Sequence, residues 1–182
     1  MEDVKRFSEG LAPYRVNGKW GFINTDGTVV VEAQYKGIGY VSEGLAWVKN
    51  EAGQVGFIDS KGNVKIDLQF QTAKEFTEGL ARVKKNDAWL FVDLAGNEVR
   101  SVSADTYGNF SNGLAYAKKN DVVGFVGKDG NWVIDAKFEK VRDFKNGYAA
   151  VRKADNWGFI DKTGNWVIEP TFAGVKDFEK VK

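Results

Sequence analysis

The chain of 182 residues contains no histidine and no cysteine. Without cysteine it forms no disulfide and offers no thiolate. Without histidine it lacks the commonest general base and metal ligand, and every arrangement that pairs histidine with a serine or cysteine nucleophile. Its Asp- and Gly-containing turns also lack the distal glutamate and full ligand set of a calcium loop. We therefore expect a protein that is not an enzyme and has no cofactor or metal ion.

A strong net charge and a long apolar run are also missing. The 26 Lys and Arg residues nearly balance 25 Asp and Glu residues, which gives no general attraction to nucleic acid or to a membrane surface. No apolar run approaches the roughly 18 residues of a membrane span, and Met1–Lys5 carries no hydrophobic signal segment. We expect neither nucleic acid nor a membrane span, and either a cytoplasmic location or a mature or excised fragment of a longer protein.

One unit repeats five times through the chain, at a spacing of 34 or 35 residues. A phrase of Gly, Leu or Tyr, and Ala recurs at Gly10–Ala12, Gly44–Ala46, Gly79–Ala81, Gly113–Ala115 and Gly147–Ala149. A phrase that ends in Phe recurs at Trp20–Phe22, Val55–Phe57, Trp89–Phe91, Val123–Phe125 and Trp157–Phe159. A repeat array buries its core between neighbouring units. We therefore predict a single repeat domain over residues 1–182, with units at about 4–40, 41–75, 76–109, 110–143 and 144–178.

The second unit shows the predicted secondary structure. Gly44–Lys49 alternates small or apolar residues with variable or charged ones, the pattern of a half-buried strand. Val55–Ile58 and Asn63–Asp67 are the next two strands, and Asp59–Gly62 between them has the residue preferences of a type I turn. Each unit is thus at least a three-stranded antiparallel meander.

The link between units has a different period. Apolar residues stand three apart in it, as in Phe70, Ala73 and Phe76. This spacing favours a single helical or 3₁₀ turn, or a bent connector, and a short kinked fourth strand is the alternative. An all-helical tetratricopeptide array has a similar period, but the glycines at fixed places and the many β-branched and aromatic residues disfavour it.

The recurring phrases resemble those of the WG-repeat family, also called KWG repeats. The best local matches are Asn17–Asn24 and Asn156–Asp161, and Phe7–Ala12 and Phe76–Ala81 carry the other hallmark. The likeness runs from about residue 4 to 178, and the third unit departs most because Leu90 replaces the motif glycine. The resemblance implies a β-rich array of bacterial origin that mediates interactions, and it brings no catalytic residues.

Two all-β architectures fit five such meanders. The first is a closed five-bladed, propeller-like ring, which we favour. The small glycine and alanine residues on the first long strand support it, because small residues suit crowding near an axis. Val4–Phe7 also matches Val175–Phe178, which would let the two ends of the chain meet. The alternative is an open, solenoid-like stack, because 34 residues are few for a four-stranded blade.

The first predicted strand of each unit carries a basic residue at the same position, three residues after the recurring alanine. The five are Arg15, Lys49, Lys84, Lys118 and Arg152. They are candidates for binding an acidic partner, or they pair across strands with Glu32, Asp67, Asp135 and Glu169 and leave a nearly neutral face.

The position two residues before each basic residue varies most among the units. It holds Pro13, Trp47, Arg82, Tyr116 and Ala150. Variation within fixed positions is how repeat proteins diversify a binding surface, so Trp47, Arg82 and Tyr116 join the basic residues as candidates. The tryptophans at 20, 89 and 157 are expected to pack in the core or between units, because Val55 and Val123 fill the same position. We expect a scaffold that binds a protein or another macromolecule, and the alternative is a glycan-binding module that uses exposed tryptophans.

Overall fold

A computed structural model describes residues 2–99 and 101–177, and these residues form strands, turns and irregular connections. The strands make five four-stranded antiparallel sheets, so the predicted all-β class is confirmed. In the part of the chain that the model describes, no helix is long and apolar enough to serve as a membrane span.

The sheets, numbered I to V along the chain, each take their four strands in sequence order. Sheet I contains β1 (Asp3–Val4), β2 (Leu11–Val16), β3 (Lys19–Asn24) and β4 (Val29–Tyr35). Sheet II contains β5 (Gly37–Ile38), β6 (Leu45–Lys49), β7 (Val55–Asp59) and β8 (Val64–Phe70). Sheet III contains β9 (Thr72–Ala73), β10 (Leu80–Lys85), β11 (Ala88–Asp93) and β12 (Glu98–Val99). Sheet IV contains β13 (Thr106–Tyr107), β14 (Leu114–Lys119), β15 (Val122–Gly127) and β16 (Trp132–Phe138). Sheet V contains β17 (Lys140–Val141), β18 (Tyr148–Lys153), β19 (Asn156–Asp161) and β20 (Trp166–Phe172).

The first strand of every sheet is the element that the sequence left open. The favoured helical turn is wrong, and the alternative of a short fourth strand is right. In sheet II the two residues of β5 pair with β6, Gly37 opposite Lys49 and Ile38 opposite Val48. The strand ends after Ile38, so Val41, three residues on, also reaches the core, with 2% of its surface exposed. A four-stranded sheet fits into 34 residues because this strand is so short.

The glycine of the Gly-Leu-Ala phrase is required by its backbone conformation. In sheet II, Glu43 and Gly44 have φ of 53° and 80° and form a two-residue turn between Ser42 and Leu45. Both central residues of a type I′ turn need positive φ, which glycine adopts at no steric cost. A Cβ atom on Gly44 would meet nothing within 4 Å. Crowding as the reason for this glycine was therefore wrong, whereas Ala46 is buried in the core.

The glycine of the Trp-Gly-Phe phrase has a different role. A Cβ atom on Gly56 would lie 2.5 Å from the carbonyl oxygen of Ile66, because a bulge brings the outer strand close at this point. Gly21, Gly124 and Gly158 face their outer strands in the same way. Leu90 replaces this glycine in sheet III, where the described part of the outer strand is Glu98–Val99.

The turn before the outer strand has its predicted form. In sheet II the amide of Gly62 donates to the carbonyl of Asp59 at 3.0 Å. The Asp59 carboxylate accepts hydrogen bonds from the amides of Lys61 and Asn63, both at 2.9 Å. The hydrogen bond from the Asn63 side chain is the largest of the contributions that lower the pKa of Asp59 to about 2. The carboxylate thus stabilises its own turn.

The chain divides into two compact units, Met1–Glu98 and Val99–Lys182. Within each, apolar side chains from one sheet pack into the next. The core between sheets II and III includes Phe57 and Phe76, whose rings meet edge to face at 4.9 Å between centroids. Phe125 and Phe144 repeat this contact at 4.7 Å between sheets IV and V.

A hydroxyl adds a second link between neighbouring sheets. Ser42 donates to the carbonyl of Phe76 at 2.8 Å, and Ser111 donates to that of Phe144 at 2.7 Å. Ser8 donates in the same way to Val41 at 2.7 Å. The boundaries of the repeat units and the closure of a ring stay predictions, and Phe178, the end of the fifth predicted unit, lies outside the described residues.

We predict that Gly56→Ala destabilises the protein by about 1–3 kcal/mol, because the new Cβ atom collides with the backbone of the outer strand. Denaturant unfolding followed by tryptophan fluorescence measures the change. Gly174→Ala is the control, because a Cβ atom there meets nothing within 4 Å. Equal stability of the two variants would contradict the close approach at Gly56.

Candidate binding surface

The five basic residues lie at one register position, near the end of the second strand of each sheet. Three of them pair with an aspartate of the following hairpin turn. These pairs are Lys84–Asp87 at 3.2 Å, Lys118–Asp121 at 2.8 Å and Arg152–Asp155 at 2.6 Å. Two pair with a glutamate that precedes the short first strand, Arg15–Glu2 at 3.7 Å and Arg152–Glu139 at 3.6 Å.

The predicted pairing with the acids of the outer strand is therefore wrong, and the register explains why. In sheet V, Arg152 lies opposite Trp157, which lies opposite Phe172. The bulge at the motif glycine shifts the outer strand, so an aromatic residue takes the place where Glu169 was expected. The pairs that do form are exposed and contribute little to stability.

The tryptophans of the Trp-Gly-Phe phrase are half-buried, and Trp20 packs against the core between sheets I and II. Each has a cation above its ring: Lys5 lies 4.2 Å from the Trp20 centroid, Arg82 5.5 Å from that of Trp89, and Arg142 5.8 Å from that of Trp157. These distances are within the range of cation–π attraction. Flat, open ring faces of the kind that a sugar needs are thus partly covered.

The variable position is one half of a pair, which we call the slot pair. Its carbonyl accepts a hydrogen bond from the amide of a residue just after the first strand. The five slot pairs are Lys5 with Pro13, Gly39 with Trp47, Lys74 with Arg82, Gly108 with Tyr116, and Arg142 with Ala150. Glycine stands opposite both aromatic residues, and Lys or Arg stands opposite the others.

Packing accounts for this exchange. A side chain on Gly39 would collide with the indole of Trp47, and one on Gly108 would collide with the ring of Tyr116. Trp47 is half-buried and packs against the core between sheets II and III. Less of the Trp47 ring is therefore open to a binding partner than its variable position in the repeat indicated. Pro13 and Ala150 are buried, and there the long side chain opposite supplies the surface.

A groove of about 490 Å³ lies between sheets IV and V, within the unit Val99–Lys182. Sheet IV contributes Tyr116 and Lys118 to its wall, so two of the predicted candidates meet there. Sheet V contributes Arg142 and Trp157. Arg152, another candidate, pairs with Glu139 of the same wall.

The other candidates lie in the unit Met1–Glu98. Arg15 and Arg82 lie near tryptophan rings, 5.8 Å from Trp20 and 5.5 Å from Trp89. Lys84 pairs with Asp87, and the half-buried Lys49 lies opposite Gly37 and Val55 in sheet II.

Sequence reasoning missed Arg142 and Lys140, which line the groove. The reason is that the segment they occupy was interpreted as a helical turn, so its residues were not assigned to a face. A usable signal was present, because glycine stands eight residues before Trp47 and Tyr116 whereas Lys or Arg stands eight residues before Pro13, Arg82 and Ala150.

We predict that Gly39→Lys destabilises the protein by about 1–3 kcal/mol, because the new side chain displaces the Trp47 indole. In the double variant with Trp47→Ala the cost falls below the sum of the single changes by at least about 0.5 kcal/mol. Denaturant unfolding of all four proteins gives this coupling. Lys74→Gly in sheet III is the control for a slot pair without an aromatic residue, and strict additivity in sheet II would contradict the slot pair.

Comparison with solved structures finds likeness at the level of the fold. The computationally designed Ika8 protein matches with a TM-score of 0.55 and 11% identity, over 89% of this chain and 59% of that one. Hsv2 from Kluyvelomyces marxianus matches with a TM-score of 0.54 and 11% identity, over 91% of this chain and 63% of that one. The WD40 β-propeller domain of Doa1 has a TM-score of 0.45 and 13% identity, over 90% and 66%. The chain thus spans less than two thirds of the length of each of these three structures.

A search of the curated proteins finds no significant match. The family model described as "WG containing repeat" matches five times, at residues 2–20, 20–52, 56–89, 124–157 and 157–180. These matches cover more than half of the chain and contain both recurring phrases. The chain belongs to the family of WG-containing repeat proteins.

Proposed function

We propose that this protein is a non-enzymatic scaffold that binds a protein partner through the slot pairs and the basic residues beside them. The observation that supports this most is the contrast within the repeat. The buried positions and turns recur in all five sheets, whereas the residue types of the slot pairs differ from sheet to sheet. Repeat proteins diversify their binding surfaces in this way.

Charge supports a protein partner over a polyanion. Four of the five basic residues have a carboxylate within 4 Å: Arg15, Lys84, Lys118 and Arg152. Positive and negative groups thus alternate along the surface, and this arrangement suits a partner with its own mixture of charges. The cations above Trp20, Trp89 and Trp157 leave less open ring area for a glycan.

The test is a pull-down with the immobilised chain and its variants. We expect Lys49→Ser, Lys84→Ser and Lys118→Ser together to release partners that the unchanged chain retains at low salt and loses at high salt. The control carries Lys61→Ser, Lys65→Ser and Lys162→Ser, an equal change of charge at exposed positions of the outer turns and outer strand.

Retention of every partner by the first variant would contradict the proposal. A titration with a panel of glycans, followed by tryptophan fluorescence, tests the alternative. A shift with one glycan and release of no protein partner would replace the proposed function by glycan binding.

A further inference from the structure

Arg142 in the wall of the groove between sheets IV and V already binds one carboxylate, which belongs to the adjoining pocket and not to the lining of the groove. Nη1 of Arg142 lies 3.0 Å from Oδ1 of Asp177, and the two side chains are 43% and 46% exposed. The same guanidinium lies 5.8 Å from the centroid of the Trp157 ring. Stacking on a ring holds a guanidinium in place while its N–H groups face a carboxylate. Arg142 is therefore set to receive a carboxylate at the groove wall.

Of the cations in and beside the groove, Arg142 is the one that can exchange its carboxylate partner for another. Lys118 pairs with Asp121 at 2.8 Å, and Arg152 pairs with Asp155 at 2.6 Å, so each has its acid on its own hairpin. The partner of Arg142 lies instead 35 residues away in sequence, in the irregular described residues that follow β20. When Asp177 separates from Arg142, two exposed cations, Lys140 and Arg142, remain in the groove wall. An incoming carboxylate would then replace the negative charge that Arg142 has lost.

Four residues of the wall are aromatic or aliphatic. Tyr116 and Val141 pack against the core between sheets IV and V, and Val123 is 7% exposed. Together with Trp157 these side chains line a volume of about 490 Å³, which lies within the range of ligand sites, about 300–1,000 Å³. In a bound peptide, an aromatic or aliphatic side chain could pack against these residues while a neighbouring acidic side chain pairs with Arg142.

We propose that this groove binds an extended segment of a partner protein in which an acidic residue adjoins an aromatic or aliphatic one, and that Asp177 competes with the partner's carboxylate for Arg142. The inference rests on the proposed function, since it names the kind of partner that one groove of the scaffold takes. Asp121, Glu139 and Asp155 near the groove disfavour a continuous phosphate backbone, so a nucleic acid is the competing outcome of the test.

The experiment uses fluorescein-labelled decapeptides in which Glu and Asp alternate with Phe and Leu, and the same peptides with Gln and Asn in place of the acids. Fluorescence polarisation with the full chain measures affinity. We expect the acidic peptides to bind at least about tenfold more tightly than the amide peptides, because the carboxylate forms a charge-assisted hydrogen bond. Arg142→Gln should remove that difference, and Lys162→Gln, an exposed cation on the turn of sheet V, should preserve it.

Asp177→Asn separates competition from simple attraction. We expect it to tighten binding of the acidic peptides by about two- to fivefold, the effect of removing one exposed ion pair. Equal binding of acidic and amide peptides, no binding of either, or equal competition by a single-stranded oligonucleotide would overturn the inference. A pull-down that still depends on Lys49 and Lys84, which lie outside the groove, would then leave the scaffold function in place and reject the groove alone.

Discussion

Packing between neighbouring sheets is the interaction on which the rest of the structure depends. Apolar side chains of one four-stranded sheet form a shared core with those of the next, as those of Phe22 and Val31 in sheet I do with Ile38 of sheet II. Phe57 with Phe76 and Phe125 with Phe144 show the same edge-to-face contact in separate parts of the chain. Because each core takes residues from two sheets, a change in one sheet is felt in its neighbour.

This shared core decides which positions are free to change. The motif glycines are fixed by a positive φ at Gly44 and by close backbone approach at Gly56, and the apolar residues are fixed by burial. The positions that are free to change are the slot pair and the basic residue beside it. In a slot pair, either an aromatic ring on the second strand or a long basic side chain after the first strand fills the space. The proposed binding of a protein partner uses these positions, and the groove at Arg142 is the case in which a basic slot residue lies beside two aromatic rings.

The sequence alone predicted the three longer strands and the turn before the outer strand, because alternation and turn residues are local signals. It gave the short first strand only as an alternative to a helical turn, because two residues are too few to show the alternation of a strand. It named Glu169 as a partner of Arg152, whereas the bulge, which depends on the outer strand's approach to Gly158, moves Phe172 into that register. Tyr116 and Lys118 were found from their recurring positions in the repeat. The place of Arg142 follows from its pairing with Ala150 across strands, so it was missed.

A double-mutant cycle on Phe57→Leu and Phe76→Leu tests most directly whether neighbouring sheets share one core. Denaturant unfolding of the four proteins gives the coupling free energy between the two rings. The account predicts about 0.5–1.5 kcal/mol, as for other edge-to-face pairs. Changes that add to within about 0.3 kcal/mol would show that the two rings act independently and would contradict the shared core.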